Sequence, residues 1–136
     1  MNTCIFCRMV AGAEPKHHIW ENDQFMTILT WHPHQPGHML IIPKRHVDYF
    51  FDMSKDEYLD LMALAYKFQP TLKRITKPIR IGLAVEGFGV GHAHLHMIPL
   101  HGPAGLDSKL AHFVSEEELA SMAKTIREAL EEDHVI

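Results

Sequence analysis

The chain has 136 residues, 46% of them hydrophobic and 22% charged, which is the size and balance of a single globular domain spanning 1-136 with its own core. A formal net charge of -4 gives no basic field for a long phosphate backbone, so extended nucleic acid is not the expected partner while a small nucleotide stays allowed. No leader-like segment or long apolar span stands in it, and the two cysteines form one Cys-x-x-Cys pair, so a cytoplasmic protein without membrane contact is expected.

In chain order, Cys4 and Cys7 come first. Their spacing suits two thiolates on one metal ion, a redox dithiol or two reduced thiols; with no third cysteine, a zinc site has to be completed by histidine. His17 to Glu21 and Phe25 to Trp31 read as two strands about the polar stretch Glu21-Asn22-Asp23-Gln24, with His17 and His18 as solvated edge residues. Trp31 to Gly37 contains two prolines and reads as a loop, and His38 to Ile42 is an apolar run that predicts a third strand. Ser54-Lys-Asp-Glu57 is a capping box, and Tyr58, Leu61, Met62, Ala65 and Phe68 give the following helix one buried face. Pro70 predicts a kink or break, with helical character resuming to about Arg74 before Pro78. Ile79 to Glu86 predicts the fourth strand, followed by the glycine-rich Gly87-Phe-Gly89-Val-Gly91. Gly102 to Lys109 reads as a loop; Ser115-Glu-Glu-Glu118 is a second capping box, opening a last helix to about Glu132. His101, His112 and His134 fall in loops or at exposed ends.

Twelve histidines are the unusual count, and three of them stand at alternate positions in Gly91-His92-Ala93-His94-Leu95-His96-Met97-Ile98. In an extended strand, residues two apart point the same way, so the imidazoles line one face while Ala93, Leu95 and Met97 face the core. Imidazole can change charge near neutral pH, bind a metal or attack an electrophile, which makes that face the candidate site.

His92-Ala-His94-Leu-His96-Met-Ile resembles the His-φ-His-φ-His-φ-φ signature (φ apolar) of the histidine-triad (HIT) superfamily of nucleotide hydrolases and transferases. Cys4-Ile-Phe-Cys7 and Pro36-Gly-His38-Met-Leu-Ile-Ile-Pro43-Lys44-Arg45-His46 are similar to its zinc-containing bacterial members. The resemblance implies an α+β fold, a five-stranded antiparallel sheet with two main helices on one side, paired into a homodimer. It implies a structural zinc on Cys4, Cys7, His46 and His92. It also implies that His94 attacks the α-phosphate of a nucleotide, backed by the main-chain carbonyl of His92, while His96 and His38 hold phosphate oxygens.

By the same resemblance Thr30 and Gly89 join His38, His94 and His96 around the nucleotide. Thr30 stands where relatives carry an Asp that grips the ribose, so its contact is weaker. The Gly87–Gly91 loop is shorter than in the phosphoramidate-cleaving branch, leaving dinucleoside polyphosphates, phosphoramidates and adenylylated adducts all open as substrates. The alternatives to a nucleotidyl hydrolase are a non-catalytic nucleotide- and zinc-binding module and an aprataxin-like DNA-end processor. The last lacks the basic surface it needs.

Overall fold

The computed structural model describes residues 3–136. Five strands, β1 (His17–Glu21), β2 (Phe25–Leu29), β3 (Met39–Pro43), β4 (Arg80–Ala84) and β5 (Leu95–Leu100), form one antiparallel sheet in the order β1-β2-β3-β5-β4. The expected fold class is therefore the observed one. The β1–β2 turn closes as the polar residues predict, with Asn22 Oδ1 accepting from the amides of Gln24 and Phe25 at 2.9 and 2.7 Å.

Two long helices, α2 (Lys55–Thr76) and α3 (Glu116–Glu132), pack on one face. Their Leu61, Ala65, Phe68, Leu72, Leu119, Ala123, Ile126 and Leu130 close a core with Ile19, Phe25, Leu29, Met39, Ile41, Leu95 and Met97 of the sheet. The capping box at Ser54 is complete: its hydroxyl accepts from the Glu57 amide at 3.1 Å, and Glu57 Oε1 accepts from the Ser54 amide. At Ser115 only the first bond forms, from the Glu118 amide to the hydroxyl.

Strands β2, β3 and β4 match expectation to within two residues at each end, and three features depart further. Helix α2 runs through Pro70 to Thr76 without a break. Pro70 is exposed, so the carbonyl it leaves without a donor can turn to water, while buried Phe68, Thr71 and Leu72 anchor the helix on either side. The second departure is α1 (Ile5–Val10), a helix on the opposite face of the sheet. Six residues cannot hold a helix alone. Phe6 and Met9 dock it on Met26, Ile28, Leu40 and Ile42, contributing roughly 1.5–3 kcal/mol per buried side chain. Third, β5 begins only at Leu95, so His92 and His94 precede the strand and His96 alone lies in it. Alternation still holds: Ala93, Leu95 and Met97 are buried on the helix side, and the amide of Ala93 donates to the Val47 carbonyl at 2.6 Å. Among the described residues no helix is long and apolar enough to cross a membrane.

Candidate active site and metal centre

Hydrogen bonds assign the proton on each ring of the histidine cluster, because a carbonyl only accepts and a backbone amide only donates. His94 Nδ1 lies 2.8 Å from the His92 carbonyl, so Nδ1 carries the proton and Nε2 keeps its lone pair. That Nε2 has no hydrogen-bond partner among the described residues. The amide of His34 donates to His38 Nδ1 at 3.0 Å, which places the His38 proton on Nε2. From there it is donated to His96 Nδ1, 2.8 Å away, leaving His96 with an Nε2–H. A nucleophilic nitrogen and a donor thus stand side by side, with the His94 and His96 ring centroids 4.9 Å apart.

The sheet makes this chain of protons. Leu40 of β3 pairs with His96 of β5, so His38, two residues before Leu40, comes up on the same face beside it. Burial keeps the rings neutral. His38 is 1% exposed and its pKa falls to about 2, first through desolvation and then through His96, His34 and His94. His96 falls to about 4 for the same leading reason, followed by the neighbouring His94 and His34. For His94, desolvation lowers the pKa and the bond to the His92 carbonyl works against it.

Next to this site Cys4, Cys7, His46 and His92 bring one sulfur or nitrogen atom each to within 4.8 Å of one another. His92 Nε2 donates to the Pro43 carbonyl at 2.7 Å, so its Nδ1 carries a lone pair. That Nδ1 lies 3.3 Å from Cys4 Sγ, 3.4 Å from Cys7 Sγ and 3.1 Å from His46 Nδ1. Tetrahedral zinc at ordinary Zn–S and Zn–N lengths has ligand–ligand edges of about 3.3–3.8 Å. Two thiols and two imidazoles at this spacing fit zinc, and the cluster can bind a metal. His92 joins the two centres, presenting its ring to the cysteines and its carbonyl to His94.

Other expected residues fall at varied distances from this chemistry. Both nitrogens of His38 are committed to protein partners, which leaves neither for a phosphate oxygen. Thr30 follows β2, with its amide on the His38 carbonyl and its hydroxyl accepting from the His32 amide. Gly89 is exposed and a Cβ there would meet nothing within 4 Å; Gly87, at φ +91°, is the loop position that needs glycine. His17 and His18 lie on edge strand β1 but are half-buried instead of solvated, His17 paired with Glu116 of α3, which packs beside that strand, and His18 with Glu21 three residues on; His101, His112 and His134 are exposed, as expected. Two contributors escaped the sequence reading. His34 sets the His38 tautomer through its amide and ties its own Nδ1–H to the Gly105 carbonyl. Phe6 sets its ring edge-on to both His92 and His94, at centroid distances of 5.7 and 5.1 Å. No motif marks either position.

An antiparallel sheet carrying an aligned histidine cluster on one face and two helices on the other defines the histidine-triad class. Residues 11–102 match the HIT domain model, and the chain belongs to the HIT family. It is 32% identical over 118 residues to mouse adenosine 5'-monophosphoramidase HINT3, covering 82% of this chain and 72% of that one. A histidine triad nucleotide-binding protein of Sulfolobus tokodaii superposes with a TM-score of 0.80 at 26% identity, over 95% of this chain and 93% of that chain. A Zn-bound histidine triad family protein of Mycobacterium smegmatis shares the fold with a TM-score of 0.81 at 24% identity, over 97% and 96%.

Proposed function

We propose that the protein is a nucleotide-binding hydrolase that works at the α-phosphate through a nucleotidyl-histidine intermediate. One observation carries this reading: the backbone holds His94 with Nδ1 protonated and Nε2 bare, beside the Nε2–H of a neutral His96. His94 Nε2 forms a bond to phosphorus while the bond to the leaving group breaks. The electron pair departs on the leaving atom, which takes a proton from solvent. The positive charge left on the His94 ring is stabilised by the His92 carbonyl at Nδ1–H, and His96 Nε2–H donates to the phosphoryl oxygens as charge builds on them. Water then attacks phosphorus, releases the nucleoside monophosphate and restores the neutral imidazole.

His38, expected from sequence to touch phosphate, acts in this scheme through His96 by holding its tautomer. Thr30 and Gly89 keep the nucleotide-contact roles that the family pattern implies, and the adenosine phosphoramidase activity in the mouse relative's name supports an adenylyl substrate. Cys4, Cys7, His46 and His92 would hold a structural zinc, and these ligands come from α1 and from the segments after β3 and before β5, so the metal would tie them together. The protein works as a cytoplasmic homodimer.

The test is chemical. During turnover of an adenylyl phosphoramidate, acid-labile adenylyl label is trapped on the wild-type protein and is absent from His94→Ala, whose rate falls by several orders of magnitude. Turnover by His94→Ala at the wild-type rate refutes the mechanism.

A further inference from the structure

A cavity of about 400 Å³ opens beside the nucleophile, between the segment after His46 and the turn that follows β4. His94 lines it; the residue is 8% exposed, and Nε2 is its one ring nitrogen without a hydrogen-bond partner among the described residues. The rest of the wall has a marked chemistry. Asp48 and Glu86 both line it, one from the segment after His46 and one from the turn after β4, together with the exposed Tyr49 and Phe88, Phe88 at 92% exposure. A side chain at Gly91 would meet Asp48 Oδ1 at 3.5 Å, so this carboxylate faces the glycine turn leading into the histidines. Among the described residues no lysine or arginine lines the cavity.

These walls fit one kind of occupant. A phosphate chain extending from the attacked phosphorus would bring negative charge between two carboxylates with no cation to offset it. A chain ending in an ammonium meets two opposite charges and the faces of two aromatic rings, and its methylenes pack on those rings. The volume suits an amino-acid-sized group.

Building on the hydrolase reading above, we infer that this cavity is the leaving-group subsite and that Asp48, Glu86, Tyr49 and Phe88 select a leaving group with a positive charge on an apolar body. The substrate class is then an adenylylated compound whose other half carries a protonated amine, and dinucleoside polyphosphates are discriminated against. Asp48 and Glu86 act as specificity residues and take no part in bond making.

The experiment measures binding separately from turnover. In His94→Ala, calorimetry compares two adenosine 5'-phosphoramidates of equal chain length, one made from 1,5-diaminopentane and one from pentylamine, with diadenosine triphosphate as the anionic case. The expected order is ammonium, then neutral, then anionic, with roughly tenfold between the first two at low salt and a smaller gap as salt screens the charges. Adding Asp48→Asn and Glu86→Gln, singly and together, brings the ammonium-to-neutral ratio stepwise towards one; both positions are exposed, so the fold tolerates them. A ratio near one in the unaltered cavity, or a ratio that survives the double replacement, overturns the subsite whatever the rate of catalysis. Absence of trapped label on the wild-type protein overturns the covalent reading whatever the binding ratio.

Discussion

At the scale of single residues the site is a matter of where protons sit. His38 and His96 do different work although both are imidazoles on one sheet face. His96→Ala removes a donor to the phosphoryl group, and kcat is expected to fall about a hundred- to a thousandfold. His38→Leu leaves His96 Nδ1 without its donor and the His34 amide without its acceptor, so His96 can take the other tautomer; a comparable fall is expected. His38→Gln, whose amide oxygen and nitrogen can accept from the one and donate to the other, should restore activity to within about tenfold of wild type. A His38→Gln variant no better than His38→Leu contradicts the positioning role. Spacing made the triad legible, since three histidines two apart define one face. The partnership of His38 with His96 was not legible, because it depends on the β3–β5 register, and nothing within one strand names its neighbour.

The same protons make stability depend on pH. Burial pushes His38 down to about 2 and His96 down to about 4, below the ordinary imidazole value of about 6.5, so below about pH 6.5 the unfolded chain binds protons that the folded chain refuses. Stability is fully present above that pH and is lost progressively as the pH falls towards 4. At pH 5 the loss is about 2 kcal/mol for a wholly buried imidazole such as His38. Urea midpoints measured from pH 7.5 to pH 4.5 should decline, with a shallower slope in His38→Gln. A pH-independent midpoint contradicts the buried neutral pair.

Among the elements, α1 is the one that depends on chemistry as well as packing. It has six residues, its N-cap is Cys4, and its buried Phe6 sets its ring against both His92 and His94. Elemental analysis of protein purified under reductant should find about one zinc per chain, falling well below one in Cys7→Ser and His46→Ala. Zinc loss unlatches α1, so Tm should drop by about 5 °C or more. Full zinc retention in both variants removes the assignment. The two cysteines were visible from the start, but the helix joining them was not, because six residues span too few turns for a 3.6-residue period to show. Pro70 shows the converse, a local breaker signal overruled by core contacts that lie far away in sequence.

For the whole molecule, the β4 edge of the sheet is where a second copy would pair. Among the described residues strand β4 has β5 as its only neighbour, so its outer edge presents backbone groups ready to pair. Beside it lie exposed Phe51, Tyr66, Leu83 and Val85, with two shallow grooves of about 350 and 170 Å³ between β4 and α2. Large apolar side chains gathered along one free edge are costly in a monomer and would be covered in a dimer. A two-fold axis through this edge would pair β4 with its copy into a continuous ten-stranded sheet and bring the two α2 helices together. Light scattering at micromolar concentration should give twice the 15.6 kDa chain mass. Leu83→Glu combined with Tyr66→Glu would bury carboxylates against their own copies and should shift the protein to monomer, raising the dimer Kd by about a hundredfold or more. Histidine spacing gave no hint of this surface, because an edge becomes an edge only when the strand order is known. A wild-type protein that scatters as a monomer at that concentration rules the interface out, and it leaves the histidine site, built wholly within one chain, as it stands.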